Sequence, residues 1–275
     1  MTASTDNVES IVAALLSAYD AGTMLPPITE TWPGFDLADA YTVLSLIAEH
    51  RRSQGWEPVG RKIGFTNTTI WELFGVDAPM WAPVWTTTLV PAESGELTAS
   101  LASLVQPRIE PEVVFKVRGP VPASTDDPRA VLESVEWMAA GFEVVQCHYP
   151  EWRFTLPDCT ASFGLHGFLV VGEPVAIDDA NRDDVAAALS TFEVVLTRDG
   201  GEVDRGVGAN VLGSPALALA HLATVLTGQP QFSPLAAGEL ITTGTVTNAQ
   251  PIAAGETWSS TYGELGLKGL TVTFE

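Results

Sequence analysis

The chain has 275 residues, 46% of them hydrophobic, and carries 34 acidic against 13 basic side chains for a formal charge of −21. That balance excludes nucleic acid and anionic membrane surfaces as partners, because both need a basic patch. The two cysteines, Cys147 and Cys159, do not make a disulfide framework in a chain of this length.

The first third reads as helical. In NVESIVAALLSAYDAG, Ile11, Leu15 and Tyr19 fall at i, i+4 and i+8, and Gly22 ends the pattern. The opening MTASTDNVES has acids where a signal peptide needs positive charge, so a cytoplasmic protein is expected. After a proline-rich connector, DLADAYTVLSLIAEHRRSQG starts from a plausible N-cap at Asp36 and runs to Gly55. VGRKIGF is a short strand-like run, and TIWELFGV holds one or two helical turns.

From about residue 80 onward strands dominate: VWTTTLV, RIEPEVVFKVRG, GFEVVQCHY, HGFLVVG, TFEVVLTRDGGEV and LKGLTVTFE. TFEVVLTRDGGEVDRG predicts a hairpin turning at Asp199-Gly200-Gly201. Two helices are expected within this region. DDPRAVLESVEWMAA has Asp127 as N-cap and Pro128 at N1, and SPALALAHLATVLTG runs from Pro215 to Gly228. The second is the longest apolar stretch, too short to span a bilayer and interrupted by His221. Strands outnumber helices too heavily for a βαβ alternation, so a mixed, largely antiparallel sheet rolled or sandwiched on itself is expected. The chain divides into a helical N-terminal portion, residues 1–75, and a mixed β-roll core, residues 76–275.

The chemistry-bearing residues cluster in that β region. Glu110 and Glu112 in PRIEPEVVF share one strand face, opposite Ile109, Val113 and Phe115. Glu143 sits between Phe142 and Val144 in a similar apolar run. Two readings fit. The face is wet and the glutamates are solvated, or three acids converge on a hard divalent cation such as Mg²⁺ or Mn²⁺. The chain has only three lysines, and Lys62 in VGRKIGF has the chemistry to hydrogen-bond an oxyanion or transfer a proton. Alternatively it is an ordinary strand-edge lysine. The four histidines lack metal-ligand spacing, and RGVGANVLG does not make a dinucleotide fingerprint.

The order KIG, QPRIEPEVVF, GFEVV, GANVLGSPALALAHLA, LAAGELITTGT resembles the 2-keto-4-pentenoate hydratase and 4-oxalocrotonate decarboxylase branch of the fumarylacetoacetate hydrolase superfamily. The resemblance spans nearly the whole chain, and its most specific part is Gln106-Pro107 followed by the E-x-E pair. It implies an α+β fold, a mixed β-roll core with a helical N-terminal portion, assembled into homo-oligomers. It implies Mg²⁺ or Mn²⁺ held by Glu110, Glu112 and Glu143, a catalytic Lys62, and Asp77 as an acid facing the substrate. Arg153, Asp158, Ser162 and Thr245 are the substrate-binding candidates that follow from it. The expected substrate is a small 2-oxo or 2-hydroxydienoic acid, hydrated in the breakdown of aromatic or related compounds. Decarboxylation or carbon–carbon hydrolysis are alternative outcomes of the same site. DCTASFGLHG departs from the hydratase pattern in lacking an adjacent Asp-Asn, with Phe163 and His166 in that neighbourhood.

Overall fold

The computed structural model describes residues 5–92 and 94–275, and for residues 5, 6, 70, 73 and 74 the backbone alone. Two long helices, Thr5–Ala21 and Leu37–Ser53, lead the chain. The second is capped by Asp36, whose carboxylate accepts from the amides of Ala38 and Asp39 at 2.9 and 3.0 Å. The helices bury Ile11, Leu15, Val43 and Ile47 against one another. Arg51 closes the pair by an ion pair to Asp20 at 2.5 Å, with its guanidinium over the Trp56 ring.

Fourteen strands follow. The larger sheet holds β1 (Pro58–Gly64), β2 (Met80–Trp85), β3 (Leu89–Pro91), β5 (Arg108–Val117), β6 (Val135–Val145), β7 (His166–Val171), β8 (Val175–Ala176), β11 (Leu240–Thr242) and β12 (Gln250–Pro251). The smaller holds β4 (Glu96–Ala99), β9 (Glu193–Arg198), β10 (Gly201–Val207), β13 (Thr257–Thr261) and β14 (Thr271–Phe274). The main path of the large sheet is β2-β1-β11-β5-β6-β7-β3, and that of the small one is β10-β9-β13-β14-β4. Most pairings are antiparallel, but β1–β11, β3–β7 and β4–β14 are parallel, which makes the mixed α+β roll that the sequence leads one to expect. Strand β1, the strand-like run VGRKIGF, lies inside the large sheet between β2 and β11, so that sheet begins within residues 1–75.

The core lies where the sheets face each other. Phe115, Phe142, Trp258 and Phe274 are all buried there, each worth about 1.5–3 kcal/mol or more of apolar transfer as an upper estimate. Tyr262 stitches the sheets together, its hydroxyl 2.9 and 3.0 Å from the carbonyls of Glu112 and Gly141. The hairpin forms as expected, with Asp199 and Gly200 both left-handed at φ 51° and 82°.

One element differs from expectation. The helix beginning at Pro128 ends at Leu132, and VEWMAA runs on as the first half of β6. Asp127 caps the helix as predicted. However, pairing of Val135 through Val145 with β5 outweighs the helical propensity of Met138, Ala139 and Ala140. Three short helices, Ile28–Thr31, Leu156–Ala161 and Arg182–Ala188, were not anticipated.

Candidate metal centre

Strand alternation delivers the first two acids and cross-strand pairing delivers the third. Glu110 stands directly opposite Glu143 in the β5–β6 ladder, and Glu112 stands opposite Gly141. Gly141 keeps that face open: a Cβ there would come within 2.5 Å of the Val114 side chain. The three carboxylates each bring an oxygen within 4.8 Å of the others, the arrangement that a metal ion needs. Glu112 and Glu143 are fully buried, so the wet-face alternative does not hold for them.

Pro111 explains how a loop reaches this face from the side. Its carbonyl accepts from Val246 N at 3.0 Å, and a strand residue's N–H points the same way as its carbonyl. The edge partner of β5 is interrupted there, between β11 and β12, so the missing proline N–H breaks no ladder bond. The end of β11 and the loop that follows it bring Thr242 and Gly244 to Glu112. Thr242 Oγ1 donates to Glu112 Oε2, and so does Gly244 N at 2.8 Å. Gly244 has φ 98°, and a Cβ would fall 1.8 Å from Thr66 Oγ1, so the position accepts no side chain.

Lys62 enters from β1. Its Nζ lies 2.9 Å from Glu143 Oε2 and donates to the Gly164 carbonyl at 3.0 Å. Three consecutive residues, Phe163, Gly164 and Leu165, have left-handed φ of 55°, 61° and 60°, and this turn aims the carbonyl at the lysine. His166 grips Glu143 from the other side, with Nδ1 2.8 Å from Oε1 and Nε2 2.9 Å from Thr88 Oγ1.

The electrostatics report a shortage of positive charge. Burial, reinforced by Glu143 and opposed by Lys62, raises Glu110 to about 7. Burial, together with the charges of Glu143 and Glu110, pushes Glu112 well above the carboxylate range. Burial would also raise Glu143, but Lys62 and His166 outweigh it and hold that group at about 2. Burial pulls Lys62 down, but Glu143, Glu110 and Glu112 together raise it above an ordinary lysine. One ammonium thus serves three carboxylates, and Glu112 Oε1 is buried with no hydrogen-bond partner. An orphaned oxygen in an all-carboxylate donor set fits a hard divalent cation.

The site forms the floor of a cleft of about 720 Å³, a volume that includes solvent at its mouth. Lys62, Glu110 and Thr245 line it, together with Arg108, Trp152 and Phe154. Other residues expected at the substrate lie elsewhere. Asp77 is exposed and off the cleft wall. Arg153 points outward in an exposed ion pair with Glu151 at 3.2 Å. Asp158 is buried as a structural acceptor, taking hydrogen bonds from Thr29 N and Thr29 Oγ1 at 2.9 and 2.7 Å and from Thr155. Ser162 is buried beside the Tyr149 hydroxyl, off the cleft wall. Arg108 and Gly164 were not anticipated. Strand periodicity alone would have found Arg108, which shares its face with Glu110 and Glu112.

A carboxylate-floored cleft on a mixed β-roll defines a class of small-acid enzymes. The chain belongs to the fumarylacetoacetate hydrolase family: the family model described as "Fumarylacetoacetate (FAA) hydrolase C-terminal" matches residues 72–272. It is 29% identical to the 2-keto-4-pentenoate hydratase of Burkholderia vietnamiensis over 98% of each chain. It is 30% identical to a 4-oxalocrotonate decarboxylase of Pseudomonas over 92% of this chain and 90% of that one. A solved 4-oxalocrotonate decarboxylase from Pseudomonas putida, complexed with magnesium and adipate, superposes with a TM-score of 0.88 at 25% identity, covering 100% of this chain and 99% of that one.

Proposed function

We propose that this protein is a divalent-metal-dependent hydratase that adds water to a 2-hydroxy-2,4-dienoate to give a 4-hydroxy-2-oxo acid. The observation that carries the reading is Lys62 Nζ held against Glu143 at 2.9 Å beside the buried Glu112 and the half-buried Glu110. Glu110, Glu112 and Glu143 would hold Mg²⁺ or Mn²⁺. When bound, that cation supplies Lewis-acid stabilisation of negative charge on the C2 oxygen of the acid.

The chain's own groups do the rest. Lys62 donates one N–H to Gly164 O and stands in ion-pair contact with Glu143 Oε2 at 2.9 Å. An ammonium carries three N–H bonds, which leaves it able to donate to the substrate's C2 oxygen or to deliver a proton to the carbon chain as the dienol becomes the enone. Thr245, on the cleft wall, donates its hydroxyl to the Thr247 carbonyl at 3.1 Å and would turn it to the carboxylate end when the acid binds. Phe65, Trp152 and Phe154 shield the conjugated tail from bulk water. Water then adds at C4 while C3 takes a proton, so substrate and water together account for every atom of the product.

A second reading, decarboxylation of a 4-oxalocrotonate-type acid, draws on the decarboxylase relatives at comparable identity. Incubation of the Mg²⁺-loaded protein with 2-hydroxypenta-2,4-dienoate and with 4-oxalocrotonate, read by mass spectrometry, separates them. Gain of one water from the dienoate supports the hydratase. Loss of CO₂ from the second substrate alone refutes it.

A further inference from the structure

Arg108 is a cationic residue of the cleft that no hydrogen bond or ion pair holds among the described residues, although its charge is felt by Glu110. It stands on β5 two residues before Glu110, and so on the face that carries Glu110 and Glu112. Although acids outnumber bases heavily in this chain, its guanidinium has no hydrogen-bond or ion-pair partner among the described residues. Its contact is the Trp152 ring, with Cζ 4.1 Å from the centroid. Most other arginines here are paired, as in Arg61–Glu239 and Arg205–Glu193.

The platform beneath it is built. Trp152 is held in a left-handed conformation, φ 57°, and its Nε1 donates to the Gln106 carbonyl at 3.1 Å. Gln106, also left-handed at φ 49°, donates from Nε2 to the carbonyls of Cys147 and Tyr149 at 2.9 and 2.8 Å. Two strained residues, each anchored by hydrogen bonds, thus set one indole under one guanidinium. A guanidinium stacked on a ring keeps the N–H groups on its edge available in their plane, the geometry that takes a carboxylate with two parallel bonds.

We propose that Arg108, seated on Trp152, is the subsite for a second carboxylate at the far end of the substrate, so that the protein prefers a dicarboxylic 2-oxo or 2-hydroxydienoic acid to one with an alkyl tail. This rests on the reading that the acid's other end binds at the glutamate cluster. Arg108 lies about 6.6 Å along the strand from Glu110, a span that about five or six bonds of extended chain cover. Lys62 and Arg108 are the only cationic side chains lining the cleft among the described residues, one at each end of such a molecule.

The test compares 2-oxoadipate with 2-oxohexanoate, which share a carbon count and differ in the terminal carboxylate. Each is titrated calorimetrically into full-length protein with saturating Mg²⁺ and again with EDTA. Two charge-assisted bonds predict that 2-oxoadipate binds at least about 10-fold tighter. Arg108→Gln should bring that ratio close to one. Equal Mg²⁺-dependent affinities in the unmutated protein overturn the subsite and leave the metal reading standing. A ratio that survives in Arg108→Gln also overturns it. If neither acid binds in an Mg²⁺-dependent way, both readings fall. The unmutated ratio decides the matter even where the variant does not fold.

Discussion

Replacing Lys62 by methionine separates two roles of that residue. The side chain is 3% exposed, and its ammonium meets Glu143 Oε2 at 2.9 Å and Gly164 O at 3.0 Å. Methionine fills similar space but leaves both oxygens buried without their partner. Removing one member of a buried ion pair costs about 3–5 kcal/mol. For a chain of this size that lowers Tm by roughly 6–15 °C, measured in EDTA by thermal denaturation. Because the loss is a deficit of positive charge, added Mg²⁺ should raise the Tm of the variant more than that of the unmutated protein. Turnover should not recover with it. Loss of a positioned proton donor or oxyanion partner costs about 10²–10⁴ in kcat, or about 2.7–5.4 kcal/mol of barrier. Arginine should not substitute, since it stays charged and the space is tight: a Cβ on Gly164 would lie 3.1 Å from Lys62 Cδ. A variant that hydrates the dienoate at near the unmutated rate would refute the catalytic role. An unchanged Tm in EDTA would refute the electrostatic one.

Four further outcomes are expected. Glu112→Gln should keep the fold and weaken Mg²⁺ binding by about 10-fold or more in calorimetry, since it removes a charged donor whose second oxygen has no other partner. Gly244→Ala should lower Tm by several degrees, because φ 98° and the 1.8 Å approach to Thr66 together impose about 1–3 kcal/mol or more of strain. Asp158→Asn should destabilise the protein in urea melts by weakening the bonds from Thr29 and Thr155, while KM for the dienoate stays within about two-fold. Sedimentation at micromolar concentration should show a species heavier than the 29.2 kDa chain; a pure monomer would contradict the homo-oligomer that the resemblance implies.

The metal face was legible because strand alternation is rigid: Glu110 and Glu112 had to point together, and burial then made them costly without a cation. The cross-strand partnership of Glu110 with Glu143 was not legible, since register depends on contacts remote in sequence. Arg108 was hidden in plain view, on the same alternation but read only as part of the motif around it. Asp158 and Arg153 show the opposite difficulty. Both lie near the site in sequence, yet a helix N-terminus claims one and solvent the other. VEWMAA misled because its local preferences are helical, whereas its stability comes from two neighbouring strands, β5 and β8. The eight tryptophans are buried or half-buried within the chain, and Met24 is the one large exposed apolar side chain of the N-terminal third among the described residues.

The turn that faces Lys62 has a consequence for how the protein can be divided. Phe163, its first residue, packs with the N-terminal helices, its ring 4.3 Å from that of Tyr19, and Arg51 stacks over the same ring. The segment shared across the family, residues 72–272, includes the three glutamates but neither the lysine nor these helices. That boundary is not a seam of the fold: Lys62 sits on β1, which pairs with β2 and β11 in the same sheet as the acids. Removing the helices alone would take Tyr19 and Arg51 away from Phe163 and loosen the turn whose Gly164 carbonyl holds the lysine.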